Sequence, residues 1–398
     1  MIILKKENCV DIGLVLALSG ISCMAMIKGV IGENFRWLSI FIFVISLILI
    51  FIGRGNNNKI FISADACFVL FYGLISVMLS AGSNMEYTKS GAGLYYQIGY
   101  LLQFVLVINI FTKWNGARLL EYGSYFNCVF IIMALLLVIK HPTEISGFNN
   151  YISDDGIFLF DREALGRLSF GAFVFSLFYE PKNNIGKTMR YCNIILSIFI
   201  ICISTRRSIM VAALLSIFMF SCRYRDTAFS ITSKKILKLI PLVVIVVCII
   251  CGNEKILELI ANATNRFVNG FLTYFSYNTN DMAVDMRVGL RNELFDKFNN
   301  MSLFEFVFGN GYMSAFVDFP LLQSFYDMGI FGGCFFIFTQ IFIPCKYLLI
   351  TRNDNNNLAI KSFVLLAMVE SFANGFPYGV GLGTLILIKI ELNRKMLT

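Results

Sequence analysis

The chain is built from apolar segments that are each long enough to cross a bilayer, interrupted by one polar stretch from about Gly252 to Pro320. A helix needs about 20 apolar residues to cross the hydrocarbon core of a membrane. Hydrophobic residues make up 57% of the chain and charged residues only 15%. A soluble globule of this length could not bury the apolar surface that such a composition brings. The sequence therefore predicts an all-α integral membrane protein, with residues 1–398 forming a single polytopic membrane domain.

The apolar runs predict about twelve transmembrane helices. The Lys and Arg residues behind the net charge of +8 lie in alternate loops. Under the positive-inside rule the basic loops are cytoplasmic, so we expect both termini inside the cell. The outward segments then include a first extracytoplasmic loop at 141–164 and a large one at 253–320. The predicted spans are approximately 10–30, 37–53, 60–81, 94–111, 123–140, 165–180, 190–205, 208–222, 236–252, 321–347, 358–375 and 378–392.

Several function classes lack support in the sequence. The first apolar run is full length and has no small-residue cleavage pattern, so it is interpreted as a retained span. None of the eleven cysteines lies in the large outward loop, and His141 is the single histidine, which argues against a disulfide framework or a metal centre. P-loop, HExxH and CxxC motifs are absent. Acidic residues outnumber basic ones in the large loop, which argues against nucleic acid as a partner.

The large loop contains a predicted amphipathic helix at 284–299, with Arg287 and Arg291 on one face. Lying on the membrane surface, this helix would hold both guanidinium groups near the lipid headgroups. Two guanidinium forks at that depth fit a phosphate or pyrophosphate. The alternative is that both arginines pair with neighbouring carboxylates on a solvated helix.

Two shorter segments, DREALGR and STRRS, carry further arginines at predicted outward positions. DREALGR opens a span with Arg162 and Arg167, and STRRS places Arg206 and Arg207 at the tip of a hairpin between two spans. Each pair alone is explained by arginines that snorkel to the headgroups. The positive-inside rule places most Lys and Arg residues on the cytoplasmic side, so three arginine clusters on the outward side are unexpected. Their presence there favours a shared anionic ligand.

Three carboxylates lie within predicted spans, where such groups need a partner or a functional reason. Asp327 lies about two turns into the tenth span and Glu370 near the outward end of the eleventh. Either one pairs with an outward arginine or acts as a general base. Asp65 lies nearer the inward end of its span and is interpreted as structural.

The order of these features resembles the O-antigen polymerases, the Wzy-type polysaccharide polymerases, and more distantly the O-antigen ligases. STRRSIMVAALLS and DREALGRLSFGAF are similar to the hairpin of that family and to the segment where its first outward loop re-enters the membrane. RVGLRNELFDKFNNMSLFEFVFGNGY is similar to its arginine, amphipathic helix and G-x-G turn. VDFPLLQSFYDMGIFGG is similar to its closing motif.

The resemblance implies a metal-independent glycosyltransferase of the bacterial inner membrane, with a GT-C-like architecture and no cofactor. Its donor would be a growing glycan on undecaprenyl diphosphate, and its acceptor a single repeat unit on a second carrier. The product would be O-antigen or capsular polysaccharide. A chain-length regulator and a flippase are the partners that the resemblance suggests.

The chain departs from the family at the start of the closing motif, where the ligases and some polymerases carry His-Asn or His-Ser. Here the residues are Asp318, Phe319 and Pro320, so a base at that position must be Asp318. The absence of His favours a polymerase over a ligase.

These observations give one hypothesis for the site and leave several functions open. The base is Asp318, Asp327 or Glu370. An O-antigen ligase, a flippase or transporter of lipid-linked oligosaccharides, and a non-catalytic scaffold are the alternative functions. The candidate ligands of the substrate diphosphate are Arg287, Arg291, Arg206, Arg207, Arg162 and Arg167.

Overall fold

The fold is that of a computed structural model describing residues 6–26, 35–53, 63–82, 116–140, 162–204, 206–223, 282–311, 319–373 and 381–397, with the isolated positions 254, 261, 264, 265, 314 and 378. At some helical positions, including 162, 282–288 and 291, only the backbone is described.

Every regular element in these ranges is a helix. Two π-helical turns, Leu16–Gly20 and Phe338–Phe342, join α1 to α2 and α11 to α12. The helices are α1 (Lys6–Val15), α2 (Ile21–Met26), α3 (Phe35–Gly53), α4 (Ala64–Gly82), α5 (Leu119–Lys140), α6 (Arg162–Phe178), α7 (Asn184–Ser204), α8 (Arg207–Arg223), α9 (Met282–Asn299), α10 (Leu303–Phe308), α11 (Pro320–Ile337), α12 (Ile343–Ile350), α13 (Asn355–Ala373) and α14 (Leu382–Leu397).

Three helical segments of the described chain are long and apolar enough to cross a membrane, namely Leu119–Ile139, Asn184–Ser204 and Pro320–Ile350. Shorter apolar helices occur at Asn8–Gly20 and Ala64–Leu79, among others. Lipid leaves backbone groups no water to bond with, so a helix, which satisfies them internally, is the expected form of such segments. The described chain is therefore all-α with membrane-spanning character.

Ten of the predicted spans coincide with helices of the described chain, although several ends differ by a few residues. The fourth and ninth predicted spans, 94–111 and 236–252, lie outside the described residues. The predicted tight hairpin is confirmed, because α7 ends at Ser204 and α8 begins at Arg207. A helix, α9, is present at Met282–Asn299, where the sequence predicts one at 284–299; its place in an extracytoplasmic loop stays a prediction.

Helix α6 lies at the centre of the helix bundle. It packs against α2, α5, α7, α8 and α13, and its side chains Leu168, Phe170, Phe173 and Phe175 are almost fully buried. A helix that is apolar around most of its circumference is expected at such a position. The start of α6 is consequently held from several sides.

Buried polar side chains join the helices around α6. Asn193 of α7 donates to the Ser124 carbonyl of α5 and to Ser176 Oγ of α6, each over 3.0 Å. Asn127 of α5 donates to Ser19 Oγ in the first π-helical turn over 3.3 Å. In lipid, an apolar side chain gains little by contacting another helix instead of acyl chains. Polar contacts of this kind therefore help to hold the helices together.

Segments predicted to face inward meet one another at one end of the bundle. Asp65 at the start of α4 accepts hydrogen bonds from Lys346 Nζ over 2.7 Å and from Tyr347 OH over 2.9 Å. Asn356, in the first turn of α13, donates to the Gly116 carbonyl over 2.9 Å. The structural role expected for Asp65 agrees with this ion pair, which joins α4 to α12.

Candidate functional site

The start of α6, the α7–α8 hairpin and the end of α13 meet at the opposite end of the bundle. Gly166 permits the close approach, because a Cβ atom there would lie 2.6 Å from Ile209 Cδ1 and 3.2 Å from Ser204 Oγ. The segments DREALGR and STRRS are thereby brought side by side.

Four charged side chains form the cluster at this junction: Glu163, Arg167, Arg206 and Glu370. Arg167 Nη2 lies 2.7 Å from Glu163 Oε1 and 3.1 Å from Glu370 Oε2. Arg206 Nη2 lies 4.0 Å from Glu163 Oε2, at the limit for an ion pair. Positive and negative groups therefore alternate along the charged cluster, and Arg206 is its most loosely engaged member.

Glu370 is the least exposed member of the charged cluster. Its side chain is 14% exposed, whereas those of Arg167 and Arg206 are 41% and 28% exposed. A carboxylate in such surroundings needs a compensating charge, which Arg167 provides at Oε2. Glu370 Oε1 is buried and accepts no hydrogen bond from a residue in the described ranges, so this oxygen retains capacity to accept one from a ligand.

The sequence of α6 explains the placement of two members of the cluster. Glu163 and Arg167 lie four residues apart, so their side chains lie on the same face of the helix. An acidic residue in the first turn also interacts favourably with the positive end of the helix dipole. Because the body of α6 is buried, its first turns project these charges at the end of the bundle.

Asp327 lies in a second, enclosed polar site. The residue is 1% exposed. Ser314 Oγ donates to its Oδ1 over 2.9 Å, Gln323 Nε2 donates to its Oδ2 over 3.1 Å, and Tyr378 OH also donates to Oδ2. Both carboxylate oxygens are thus occupied by protein donors, which satisfies a charge that would otherwise be costly to bury.

Helix α11 is broken immediately after this carboxylate, and a turn from the large loop is inserted at the break. Gly329 has φ 68° and ψ −173°, outside the helical region. The backbone N–H groups of Asn310 and Gly311 donate to the carbonyls of Tyr326 and Asp327 over 3.0 and 2.9 Å. The turn therefore satisfies carbonyl groups that a break would leave unpaired.

Only glycine fits two positions of this contact. A Cβ atom on Gly309, which has φ 83°, would lie 2.3 Å from the carbonyl oxygen of Asp327. A Cβ atom on Gly329 would lie 2.2 Å from the carbonyl oxygen of Val307. The G-x-G turn at Gly309–Gly311 is therefore in direct backbone contact with the closing motif, which contains Gly329. These are two of the segments that resemble the polymerase family.

The carboxyl-terminal half of α9 packs against the start of α11. Leu294 is 1% exposed and lies in a cluster with Tyr326, and the rings of Phe298 and Tyr326 are 5.5 Å apart. Phe295, the next residue along α9, is 47% exposed and lies outside this contact. Helix α9 is therefore attached to α11 through a narrow apolar stripe.

The remaining predicted site residues are described less completely. Arg287 and Arg291 lie on α9 with the predicted i,i+4 spacing, and Arg162 begins α6, but their side chains lie outside the described residues. Arg207 begins α8 beside the charged cluster. Asp318 lies outside the described residues, as do residues 141–161 of the first loop and most of residues 253–281 of the large loop.

Sequence reasoning did not single out several residues of these two sites. Glu163 was recognisable from its i,i+4 spacing to Arg167. Gln323 was recognisable in the same way, because it lies four residues before Asp327 on α11. No local pattern marked Ser314 or Tyr378 as donors to Asp327, because both lie outside α11 and reach it only through tertiary packing.

No protein-family model and no curated protein matches the chain. Among the described residues, no group of three or more His, Cys, Asp or Glu side chains is placed to hold a metal ion.

Proposed function

We propose that this chain is a membrane glycosyltransferase that polymerises undecaprenyl-diphosphate-linked repeat units into O-antigen or capsular polysaccharide. The proposed architecture has about twelve spans, is GT-C-like and lies in the bacterial inner membrane with both termini inside. The charged cluster would then face the extracytoplasmic side, where a lipid-linked glycan would present its diphosphate at headgroup depth.

The charged cluster is the observation that carries this proposal. It brings together Arg167 of DREALGR, Arg206 of STRRS and Glu370 of α13, which are distant in sequence. Fixed guanidinium groups stabilise the charge that develops on a leaving diphosphate. A carboxylate beside them supplies the acceptor for a hydroxyl proton. The cluster offers both kinds of group in one place.

Arg206 is the member best suited to bind the diphosphate. Its closest ion-pair contact with a described residue is 4.0 Å, so rotation of Arg206 toward a phosphate would break no short ion pair within the described ranges. Arg167 is engaged by two carboxylates at 2.7 and 3.1 Å and acts as a positioning residue for Glu370. Arg287 and Arg291 remain candidates for the other phosphate, as the i,i+4 spacing on α9 suggests.

Glu370 is the proposed base. In the reaction, the terminal hydroxyl of the acceptor unit would attack the anomeric carbon of the donor sugar. The bond from that carbon to the diphosphate oxygen breaks, undecaprenyl diphosphate leaves, and the hydroxyl proton passes to the carboxylate. The buried Oε1 of Glu370 accepts no hydrogen bond in the described ranges, whereas both oxygens of Asp327 are occupied. Asp318 stays an alternative base.

The test is the lipopolysaccharide or capsule gel profile of a strain lacking this chain, complemented with Arg206→Ala, Glu370→Gln, Arg287→Ala or Arg291→Ala. Each variant is compared at equal abundance in the membrane. We expect loss of the polymer ladder with a single repeat unit still attached. Arg223→Ala is the matched control, because Arg223 lies at the opposite end of α8 from Arg206, and we expect it to preserve the ladder.

Other outcomes would identify the alternatives. Accumulation of full-length polymer on its lipid carrier would indicate a ligase. Loss of every repeat unit from the surface would indicate a flippase or a ligase. A normal ladder in both Arg206→Ala and Glu370→Gln would contradict the assignment of the charged cluster.

A further inference from the structure

Helix α10 exposes nearly all of its large apolar side chains. Leu303 is 81% exposed, Phe304 70%, Phe306 47% and Phe308 62%. None of the six residues of this helix is buried. The helix belongs to the segment assigned from the sequence to a polar outward loop, where a patch of this kind would be unfavourable in water.

The level of α10 relative to the membrane follows from its attachment to α11. Gly309, which ends α10, contacts the backbone of Asp327 and Gly329. At the other end of the span, Lys346 pairs with Asp65 near the end of an apolar helical segment that runs to Ile350, so the inward boundary of the apolar region lies close to these residues. A hydrocarbon core of about 30 Å corresponds to about 20 helical residues. Counting back about 20 residues from Lys346 and from Ile350 reaches Tyr326 and Ile330, on either side of the break in α11.

The end of α10 therefore lies at the outward boundary of the hydrocarbon core. Just beyond the break in α11, Ile330 and Phe331 are 37% and 70% exposed, as expected of side chains that face acyl chains. The exposed surface of α10 begins at the same level. The two surfaces can contact one leaflet.

The backbone of this segment meets the requirement for lying at that depth. Irregular backbone enters the membrane only where protein groups satisfy it. The N–H groups of Asn310 and Gly311 donate to carbonyls of α11. At the other end, Ser302 Oγ accepts from the Glu305 N–H, and Glu305 Oε2 accepts from the Ser302 N–H over 2.7 Å.

The charge on Glu305 is compatible with this position. The hydrogen bond from the Ser302 backbone holds the pKa of Glu305 below its usual range. The carboxylate lies in the first turn of α10, whereas Phe308 lies at the end that contacts the break in α11. The ionised carboxylate of Glu305 therefore lies nearer the end of α10 that does not contact α11.

We propose that α10 is an interfacial anchor whose phenylalanines insert among the acyl chains of the outward leaflet. The partner is the bilayer itself. The assignment to the outward leaflet rests on the topology proposed above, whereas insertion itself does not depend on the glycan chemistry. Helices with Phe and Leu on the apolar face bind at this depth. Insertion would fix the Gly309–Gly311 turn against α11, and with it the carboxyl-terminal end of α9.

The experiment uses the full chain reconstituted in phosphatidylcholine and phosphatidylglycerol vesicles, with the two native tryptophans Trp37 and Trp114 replaced by Phe. Phe304→Trp and Phe308→Trp are then made singly, so that failure of one variant to fold leaves the other. Tryptophan emission is measured with aqueous iodide and with lipids brominated near the headgroup or near the chain ends.

Two further variants calibrate the readout. Phe331→Trp reports a lipid-facing position on α11, and Lys182→Trp reports an exposed position on the loop between α6 and α7. We expect Phe304→Trp and Phe308→Trp to show blue-shifted emission, quenching by lipid bromines near the headgroup and little quenching by iodide. We expect Lys182→Trp to be quenched by iodide.

Two outcomes would overturn the proposal. Quenching of both α10 probes by iodide, without quenching by bromolipid, would mean that the helix faces water. Protection from both quenchers would mean that protein covers the helix, either a second copy of this chain or another segment of the same chain.

Discussion

At the residue scale, the ion pair between Arg167 and Glu370 joins positions 203 residues apart in the sequence. Removing one partner of a buried pair is costly because the other charge is left without compensation. Here Arg167 is 41% exposed and also contacts Glu163, so solvent and the second carboxylate reduce that cost. The pair therefore contributes modestly to stability and mainly orients the Glu370 carboxylate.

A double-mutant cycle tests this pair. Arg167→Gln, Glu370→Gln and the double variant are compared by thermal unfolding in detergent. We expect a coupling free energy of about 1 kcal/mol, since contacting residues in one network are not additive. The matched control is the exposed pair Glu293 and Lys297 on α9, 2.7 Å apart, where we expect near-additivity. Additivity at Arg167 and Glu370 would contradict the contact.

Asp327 leads to a different prediction, because its oxygens accept from three protein donors. In Asp327→Asn one acceptor oxygen becomes an NH₂ donor, so Ser314 Oγ must turn to accept, and the remaining charge-assisted hydrogen bonds weaken to neutral ones at a cost of about 1–3 kcal/mol. We expect a lower midpoint of thermal unfolding and less protein in the membrane. Glu370→Gln, at a site with spare accepting capacity, should change folding less. An Asp327→Asn variant of normal stability would refute the enclosed structural role.

At the scale of elements, the contact between the Gly309–Gly311 turn and the break in α11 depends on backbone approach. Two features favour glycine there: a positive φ, and a contact too close to leave room for a Cβ atom. The two glycines of the turn allow these effects to be measured separately. Gly309 has φ 83° and contacts the backbone of α11, whereas Gly311 has φ 93° and open space within 4 Å of the point where a Cβ atom would lie.

Gly309→Ala should therefore destabilise the protein more than Gly311→Ala. Both substitutions introduce the strain of a positive φ, about 1 kcal/mol. Only Gly309→Ala adds a clash with backbone that cannot rotate away, expected to cost roughly 1–3 kcal/mol more. The measurement is the fraction of monodisperse protein that survives heating, determined by size-exclusion chromatography. Equal effects of both substitutions would show that the turn does not press against α11.

Gly289 provides a control of opposite sign. It lies inside α9 with no described atom within 4 Å of the point where a Cβ atom would lie, so Gly289→Ala should raise helix stability by about 1 kcal/mol. A loss of stability in this variant would indicate that a residue outside the described ranges packs against that face.

Helices were the part of the fold most accessible from the sequence. The hairpin between Ser204 and Arg207 was recognisable because two apolar runs are separated by almost nothing. The break at Gly329 was not recognisable, since the glycines of α11 sit in an apolar run that is otherwise continuous. Its cause lies outside the helix, in the turn that satisfies the carbonyls of Tyr326 and Asp327.

At the scale of the whole molecule, contacts at the two ends of the bundle agree with the predicted alternation of loops. Asp65 and Lys346 meet at one end, and Arg167, Arg206 and Glu370 meet at the other. Segments assigned to the same side of the membrane by their charge are thus found together. Which of the two ends faces the cytoplasm stays a prediction.

Reporter fusions test that orientation. A fluorescent protein fused after Thr398 should fluoresce, because we expect the carboxyl terminus in the cytoplasm. Alkaline phosphatase fused after Gly147, in the first predicted outward loop, should be active. The control is phosphatase fused after Lys182, in a predicted inward loop, which should be inactive. Reversed activities of the two phosphatase fusions would reverse the assigned sides.

The sequence by itself determined that the apolar runs within the described residues are helical, since apolar runs in lipid must satisfy their backbone groups internally. It did not determine which faces of those helices meet. In water a polar face marks the outside of a helix, but here exposed side chains such as Phe331 and Leu349 are as apolar as buried ones. Only the tertiary structure therefore decided that Arg167 reaches Glu370 and that the Gly309–Gly311 turn enters the break in α11.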